Sequence, residues 1–386
     1  MRRLALGLYL AATPAFAQWS GNLALEGRWF TQTAPKPDAV DRNLSLSAEP
    51  QWVSNFGRDD ELSFRPFLRL DGREGRQHAD IRELRWLHVG DNDEWRIGVD
   101  SVFWGVTESR HLVDVINQID RLEGIDGEDK LGQPMIHYTR LTDNGAVDAF
   151  VLPGFRPAHF GDDDARLGPW PPVRESLAGY ESSAEDRHVD VALRYSASLG
   201  DHELGLSLFR GTQREPELRP LLQNGQPVAL VPWYLQMTQW GLDLQSILGD
   251  WTWKLEAIRR EREDGDFTAY TAGFEYSFYG VFDSAADLGL LMEYSHDQRP
   301  GSIFDDDLFA GLRLAFNDVQ SSELLAGLIY DRERHSRSLR VEASRRLGNS
   351  WKLSLEAQAF SRVAIDDPMY GLRRDDYLQL DLAYYF

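Results

Sequence analysis

The final ten residues, 377–386, alternate between two kinds of side chain. Apolar or aromatic residues occupy every second position, which are Leu378, Leu380, Leu382, Tyr384 and Phe386. Because successive side chains of a β-strand point to opposite faces, this period of two predicts a strand with one apolar face. An aromatic residue at the very end, with other aromatics beside it, is typical of a membrane-spanning barrel and unusual for a soluble sheet.

The same alternation recurs upstream. Trp351, Leu353 and Leu355 alternate with Lys352, Ser354 and Glu356, and the segments 251–257, 270–278 and 339–344 repeat the pattern. A soluble sandwich would bury its apolar face and leave few charges opposite a second sheet, whereas a membrane barrel turns apolar side chains to lipid and polar ones to a wet lumen. The sequence therefore favours an all-β fold, a transmembrane antiparallel up-and-down β-barrel.

Turn signals between these segments set the number of strands. We expect strands near 20–32, 42–54, 61–72, 80–90, 95–103, 134–142, 145–154, 186–198, 202–212, 233–247, 250–262, 267–280, 285–296, 305–316, 322–332, 335–347, 350–363 and 376–386. Every second connection is short and rich in turn residues, while the long ones, 104–133, 155–185, 213–232 and 364–375, all fall on the other parity. Short periplasmic turns and long extracellular loops sort in this way. The pattern predicts about 18 strands, with 16 as the alternative, in a single barrel over 18–386.

The N-terminus has the features of an export signal. Arg2 and Arg3 precede the apolar run 4–12, and Ala15-Phe16-Ala17 has the form of a small-x-small cleavage site. The apolar run is too short for a membrane-spanning helix, which needs about 20 residues. We therefore expect a signal peptide over 1–17 and a mature protein in the cell outer membrane of a Gram-negative bacterium.

The amino-acid composition limits the classes of partner that the protein can bind. The chain has 62 acidic and 41 basic residues, a net charge of -21, and no cysteine. The negative charge argues against nucleic acid, whose phosphates it would repel, and the lack of cysteine excludes a disulfide scaffold. An acidic surface is also compatible with binding of divalent cations. We expect outer-membrane lipid and lipopolysaccharide to surround the barrel.

A barrel of about this size leaves an aqueous channel. Alternation places charged side chains on the lumen face, namely Arg65, Arg69, Asp71, Lys254, Glu256, Glu275, Glu293, Arg313, Arg340, Glu342, Glu356 and Asp381. Both signs are present, so the wall alone predicts no strong ion preference. We expect most of these residues to pair across strands and keep the lumen hydrated.

The connection 104–133 is the most informative loop. Leu112, Val115, Ile116 and Ile119 recur at helical spacing, which predicts a short amphipathic helix. An apolar stripe exposed to water is unfavourable, so we expect the loop to fold inward against the wall and narrow the pore. Its polar residues would then meet the solute, and the candidates are Glu108, Asp114, Asn117, Gln118, Asp120 and Arg121. The alternative is an external cap, or a contact with a neighbouring subunit.

Two stretches carry a resemblance to known proteins. Trp104-Gly105 followed by Asp114-Val115-Ile116-Asn117 resembles the outer-membrane porin-like β-barrel family of proteobacteria, which is loosely related to alginate-export and carbohydrate-handling barrels. The ending at Phe386 resembles the terminal-strand signal that the barrel assembly machinery reads. The resemblance implies a constriction loop at 104–133. The lumen departs from the strongly basic pore expected of an alginate exporter, so that substrate is not implied.

Other chemistry is sparse. Adjacent carboxylates at 162–164 and 305–307 could hold Ca²⁺ or Mg²⁺, but without EF-hand spacing they indicate solvated acidic loops. The histidines lack metal-ligand spacing, and we expect neither a metal site nor a cofactor. His296 and Ser302 lie near one rim, where a lipid hydrolase could place a base and a nucleophile, but no orienting partner is evident.

These features together predict a porin-like channel for passive passage of small hydrophilic solutes, and no enzyme. An export outlet or scaffold for an envelope polysaccharide or protein is the alternative, and an outer-membrane lipid hydrolase is the remote one. A homo-oligomer is compatible with this class, although no segment marks a subunit interface.

Overall fold

The structure is a computed structural model that describes residues 18–34, 36, 39–299 and 301–386. The predicted signal peptide, 1–17, lies outside the described residues. The strands are β1 (Gln18–Phe30), β2 (Arg42–Phe56), β3 (Asp60–Asp71), β4 (His78–Val89), β5 (Asp93–Asp100), β6 (Gln133–Thr142), β7 (Gly145–Pro153), β8 (Gly179–Tyr180), β9 (Val189–Leu199), β10 (His202–Thr212), β11 (Glu217–Gln223), β12 (Gln226–Tyr234), β13 (Gln236–Leu248), β14 (Trp251–Glu261), β15 (Phe267–Val281), β16 (Ala286–Asp297), β17 (Asp306–Ala315), β18 (Glu323–Asp331), β19 (Arg337–Leu347), β20 (Trp351–Ser361) and β21 (Tyr377–Tyr385). Short 3₁₀ helices cover Glu74–Arg76, Glu175–Leu177, Glu185–Arg187 and Pro368–Leu372. Among the described residues, no helix has both the length and the apolar character to span a bilayer.

Eighteen of the strands form one closed antiparallel sheet, which confirms the predicted count and fold class. The alternative of 16 strands is wrong. Each of the 18 predicted strands begins and ends within three residues of an observed one. Alternation and turn residues were sufficient here because every membrane-facing strand must repeat the same two-sided pattern.

The first and last strands close the barrel. β1 pairs with β21 from Asn22 opposite Tyr385 to Phe30 opposite Tyr377. Beyond the last pair, Gly21 and Phe386 exchange two backbone hydrogen bonds of 3.1 Å. The C-terminal residue therefore completes the seam, while its recognition by the assembly machinery stays a prediction.

The two faces of the wall differ as the alternation predicts. In β21 the side chain of Leu378 is exposed on the outer face, whereas the neighbouring Gln379 is buried inside. Leucine, tryptophan and tyrosine side chains cover the outer face of the other strands in the same way. An apolar outer belt and a charged interior are what a barrel in lipid requires.

A small second sheet was not predicted. β11 and β12 form a hairpin around Asn224-Gly225, and β8 pairs with β12 in parallel. The connection 213–232 was expected to be a long loop, although Asn-Gly is a strong hairpin signal. The hairpin lies within the long connection between β10 and β13, outside the barrel sheet.

The outer face gives a depth-dependent test. Leu206 lies at the middle of β10 and Leu199 at the turn end of β9, and both are about half exposed on the outer face. We expect Leu206→Arg to lower the free energy of unfolding by about 2–4 kcal/mol and Leu199→Arg by about 0–1 kcal/mol, because a charge is costlier near the bilayer midplane. Urea unfolding in phospholipid vesicles, followed by tryptophan fluorescence, measures both. Equal losses in the two variants would contradict the placement of these strands in lipid.

Candidate functional site

The connection between β5 and β6, residues 101–132, runs inside the barrel and is called the lumen loop below. Its first half is fixed by Glu256 of β14, whose side chain is fully buried. One carboxylate oxygen of Glu256 accepts hydrogen bonds from the backbone N–H groups of Val106 at 2.7 Å and Thr107 at 3.0 Å. The other oxygen accepts the N–H of Val113 at 3.2 Å. A single wall carboxylate therefore holds two parts of the loop together.

A second wall carboxylate acts in the same way. Glu293 of β16 accepts the backbone N–H groups of Glu108 at 2.7 Å and Ser109 at 2.8 Å, and the Ser109 hydroxyl at 2.6 Å. Hydrogen bonds to charged groups contribute about 1.5–3 kcal/mol each. Sequence alternation placed Glu256 and Glu293 on the lumen face, but their role as anchors for loop backbone could not be read from it.

The backbone at Gly105 allows this close approach. Its φ of 146° suits glycine, and a Cβ there would lie 2.9 Å from a Glu256 oxygen and 3.0 Å from His111 Nδ1. Trp104 beside it is buried and packs edge-on against Phe150 of β7. In the Trp-Gly pair, the tryptophan is a buried anchor, and the glycine leaves room for the wall carboxylate to approach the backbone.

The predicted helix in this loop is wrong. Residues 112–118 contain bends and no helical turn, and Ile119 forms an isolated antiparallel bridge with Lys130. Backbone N–H groups just before them bind Glu256 and Glu293, and the N–H of Val113 binds Glu256 as well. Because the wall supplies these acceptors, the loop follows the wall and does not close its own helical turns.

The apolar side chains of the loop face the wall. Leu112, Val113, Val115 and Ile116 are buried in one cluster with inward side chains of seven strands, among them Met135, Phe150, Phe209, Met237 and Ile258. Burying each such side chain stabilises the packed position by about 1.5–3 kcal/mol. Part of the barrel interior is therefore an apolar core covered by the lumen loop.

The loop then crosses to the opposite side of the barrel. Arg69 of β3 binds both carboxylate oxygens of Glu123, and Arg28 of β1 donates to the Glu123 carbonyl at 3.2 Å. Arg340 of β19 forms an ion pair with Asp126 at 2.5 Å. The lumen loop is thus bound to β14 and β16 on one side and to β1, β3 and β19 on the other, so it narrows the interior.

Three predicted constriction residues do not face the lumen. Asn117 and Gln118 are buried, and their amides donate to backbone carbonyls, those of Asp100 and Leu131 for Asn117. Asp120 is also buried, where it accepts Arg82 Nη2 at 2.6 Å. The expectation that these side chains meet a solute is wrong, because they are hydrogen-bonded to buried polar groups of the wall, of the neighbouring connections and of the loop itself.

The other three predicted constriction residues, Glu108, Asp114 and Arg121, lie in different environments. Glu108 forms an ion pair with the partly exposed Arg313 of β17. Asp114 forms an ion pair of 3.0 Å with Lys130 in a buried position, and burial raises its pKa. The guanidinium of Arg121 lies 5.4 Å above the Phe160 ring. Of these three residues, only Glu108 has a partner on the wall that is more than one-third exposed.

The predicted pore-lining residues fall into two groups. Four of them, Arg69, Asp71, Glu256 and Glu293, are buried, so they do not line an open path. The others remain partly exposed: Arg65, Lys254, Glu275, Arg313, Arg340, Glu342, Glu356 and Asp381. Some of them pair across strands, as Arg340 does with Glu356 and Lys254 with Glu275 at 4.0 Å. Arg340 also pairs with Glu342 of its own strand. Paired charges of both signs therefore line the free part of the interior.

A cavity of about 360 Å³ lies between the lumen loop and strands β2 to β4. The wall contributes Arg65 and Glu49, and the loop contributes Phe103, Asp129 and Lys130. Its volume is in the range of sites that hold small molecules. The cavity therefore offers a solute charges of both signs and one exposed aromatic ring.

Among the titrating groups of the loop, His111 and Asp129 have raised pKa values. Burial disfavours the cation of His111, but the carboxylates of Glu128 and Glu256 outweigh it and raise its pKa to about 10. Burial, with repulsion from Glu123 and Asp126, raises the pKa of Asp129 to about 7. His111 is thus charged at neutral pH, while Asp129 changes its charge near neutrality.

A second long connection, 154–188, reaches over the loop end of the barrel. Its Arg166 is buried and donates to Asp41 at 2.7 Å and Asp375 at 2.8 Å, beside β1 and β21. Lys36 donates to the carbonyl of Gly168 at 2.5 Å. This connection starts at β7 and is bound beside β1 and β21, so it covers part of the mouth of the barrel.

Sequence reasoning missed the charged cluster under the loop tip. Arg76 binds Glu26 and donates to the carbonyl of Leu122 at 2.8 Å. Alternation with Leu25 and Gly27 could have placed Glu26 and Arg28 inside. Arg76 follows β3 in a short 3₁₀ helix, where the alternation of a strand no longer predicts which way a side chain points.

The residues proposed for catalysis are engaged elsewhere. His296 is on the outer face of β16, where its Nδ1 lies 2.7 Å from the carbonyl of Asp305. The Ser302 hydroxyl donates to Asp297 at 3.2 Å. These contacts direct the two side chains to different partners.

Comparisons with known proteins bear on the fold. Neither a protein-family model nor a curated protein matches the chain. Among solved structures, the chain is similar to OccD3 (OpdP) of Pseudomonas aeruginosa, with a TM-score of 0.53 and 11% identity over 95% of this chain and 91% of that one. It is also similar to a loop-deletion variant of OmpT, an outer membrane protein of Vibrio cholerae (TM-score 0.48, 11% identity, 96% and 99% covered), and to a variant of Rh. blastica porin (0.47, 10%, 96% and 100%). At these identities the likeness to OccD3 shows a shared fold, so the chain has a porin-like β-barrel fold.

Proposed function

We propose that the protein is an outer-membrane channel for passive passage of small hydrophilic solutes, with the lumen loop as its constriction. The observation that carries this proposal is the attachment of loop backbone to Glu256 and Glu293 of the inner wall. A barrel of this strand number is wide enough for an aqueous path, and a loop fixed across it limits what can pass. The apolar outer belt matches lipid, as the outer-membrane location requires.

The side chains that line the free interior support passage of a hydrophilic solute, and they give the channel little preference for the charge of that solute. Arg313 and Glu342 are among its more exposed side chains, and they have opposite signs. The cavity beside the loop also combines Arg65 and Lys130 with Glu49 and Asp129. A solute that passes along this lining can exchange hydration for hydrogen bonds without meeting a field of one sign.

The two wall carboxylates provide the first test. In the double variant Glu256→Ala and Glu293→Ala, the loop loses six hydrogen bonds to charged groups that the structure shows at 2.6–3.0 Å, in addition to the longer one from Val113. Because each contributes about 1.5–3 kcal/mol, the loop should leave the wall-bound position more often. We expect a larger and noisier single-channel conductance in planar bilayers than for the unchanged protein.

Glu94→Ala is the matched control, since Glu94 faces the interior near the turn end and pairs with Arg96 away from the loop. Its conductance should equal that of the unchanged protein. If correctly folded, unchanged protein gives no conductance, the channel proposal fails. If the double variant conducts as the control does, the loop is not the constriction.

The charge of Asp129 provides the second test. Since its pKa is raised to about 7, Asp129 is neutral below that pH and negative above it. Any stability that its neutral form provides is present at low pH and is lost as pH rises through about 7. We expect cation preference, measured by the reversal potential in a KCl gradient, to rise between about pH 6 and pH 8.

Asp129→Asn should remove this rise, because the amide has no charge to gain. Asp91→Asn, in the turn between β4 and β5, removes one carboxylate far from the loop and should keep the rise. A pH dependence that is the same in Asp129→Asn and in the unchanged protein would exclude Asp129 as its source.

A further inference from the structure

A groove of about 760 Å³ lies on the outer surface of the barrel, across strands β7, β9, β10, β13, β14 and β15. The cavity beside the lumen loop, at about 360 Å³, is half as large. The lining of the groove is mainly apolar and includes Leu193, Leu206 and Trp240, which are 46–51% exposed. Because this face of the wall contacts lipid, the groove offers a fixed position to an apolar chain of the membrane.

The register of the strands explains the depression. One row of outward side chains crosses five neighbouring strands and contains Tyr195, Leu206, Leu242, Ala257 and Tyr270. Ala257 has the shortest side chain of the row, and an aromatic residue stands at each end. In the next row towards the loop end, Trp240 is 51% exposed. A short side chain among aromatic rings leaves a gap in the outer surface.

An arginine lies on the same face, above this row. Arg210 is exposed and follows Leu206 by four residues in β10, so both side chains point outward. It has no ion pair or side-chain hydrogen bond with any residue that the structure describes. Arg259, another outward cation of the groove, is paired with Asp266 at 2.9 Å and with Glu261 at 3.4 Å. A cation at the edge of the apolar belt is unfavourable without an anion, so Arg210 indicates an anionic partner from outside the chain.

The height of Arg210 matches the head groups of the outer leaflet. The connections before β9 and after β10 are both long, which is typical of the extracellular end of a barrel. Four residues span about 13 Å along a strand, and a strand tilt of about 35–45° reduces this to about 10 Å of depth. Leu206 lies near the middle of β10, and half of the apolar band of such a barrel is about 12 Å tall. The long arginine side chain spans the remaining distance to the phosphates.

We propose that this groove binds the lipid A part of one lipopolysaccharide molecule, with an acyl chain along Ala257 and a phosphate at Arg210. Lipopolysaccharide forms the outer leaflet of a Gram-negative outer membrane, and its lipid A carries both phosphates and several acyl chains. A guanidinium binds phosphate through two parallel hydrogen bonds. Thr238 is opposite Arg210 in the register and adds a hydroxyl beside it. The proposal rests on the location in the outer membrane and is independent of solute passage.

The test uses the full barrel in detergent micelles, with purified lipid A as the probe and native mass spectrometry as the measurement. We expect saturable binding of one lipid A at low lipid concentration, and much weaker binding of phosphatidylglycerol, an anionic phospholipid. Arg210→Gln removes the phosphate partner, and we expect about tenfold weaker binding. Ala257→Trp fills the groove and should weaken binding to a similar extent.

Two variants are the matched controls. Ala357→Trp adds the same ring at the equivalent position of another strand, since Ala257 and Ala357 are each the seventh residue of an 11-residue strand and point outward. Arg345→Gln removes an outward arginine, 53% exposed, near the periplasmic end of β19. Both controls should bind lipid A as the unchanged protein does.

The proposal is overturned if the unchanged protein binds lipid A no better than phosphatidylglycerol. It is also overturned if Ala257→Trp binds as Ala357→Trp does, or if Arg210→Gln binds as Arg345→Gln does. A dimer of the unchanged protein that is lost in Ala257→Trp would assign this face to a second copy of the chain, against the proposal. Heat-modifiable migration in gel electrophoresis verifies the fold of each variant, and the comparison of the two lipids on the unchanged protein decides the matter even if a variant fails to fold.

Discussion

The structure depends on one constraint, that every backbone hydrogen-bonding group of a strand in lipid must find a partner in another strand. Eighteen antiparallel strands meet it only because β1 pairs with β21 and removes both edges. Closure then fixes two environments, an outer face that must be apolar and an interior that can hold charge. The acidic net charge of the chain is compatible with a membrane protein because the charged side chains stand inside the wall and on the connections.

The interior poses a second requirement, because a loop placed there brings backbone groups that also need partners. Glu256 and Glu293 provide them for the first half of the lumen loop, and the guanidinium groups of Arg28 and Arg76 donate to backbone carbonyls of the tip. Apolar contacts around Ile116 hold the middle of the loop against the wall. Anchors on opposite sides of the barrel make the loop a fixed obstacle in the path of a solute.

The fold could be predicted from the sequence almost completely, since each membrane strand repeats one pattern and each turn interrupts it. The lumen loop could be predicted only in part. The stripe from Leu112 to Ile119 indicated an apolar face correctly but indicated a helix wrongly. The carboxylates that bind the loop backbone come from strands 150 and 185 residues away in the chain. Asn117 and Gln118 were placed in the lumen for the same reason, since a local pattern cannot show which polar groups a distant wall leaves unsatisfied.

If a solute path runs beside the lumen loop, a side chain that lines this path is accessible to reagents that enter the channel. The chain has no cysteine, so Phe103→Cys, at a lumen-loop position that is 54% exposed and lines the cavity, gives one reactive thiol. The measurement is the single-channel current before and after a charged methanethiosulfonate reagent. We expect modification of this thiol to reduce the current. Complete modification, shown by mass, with an unchanged current would exclude a solute path at this position.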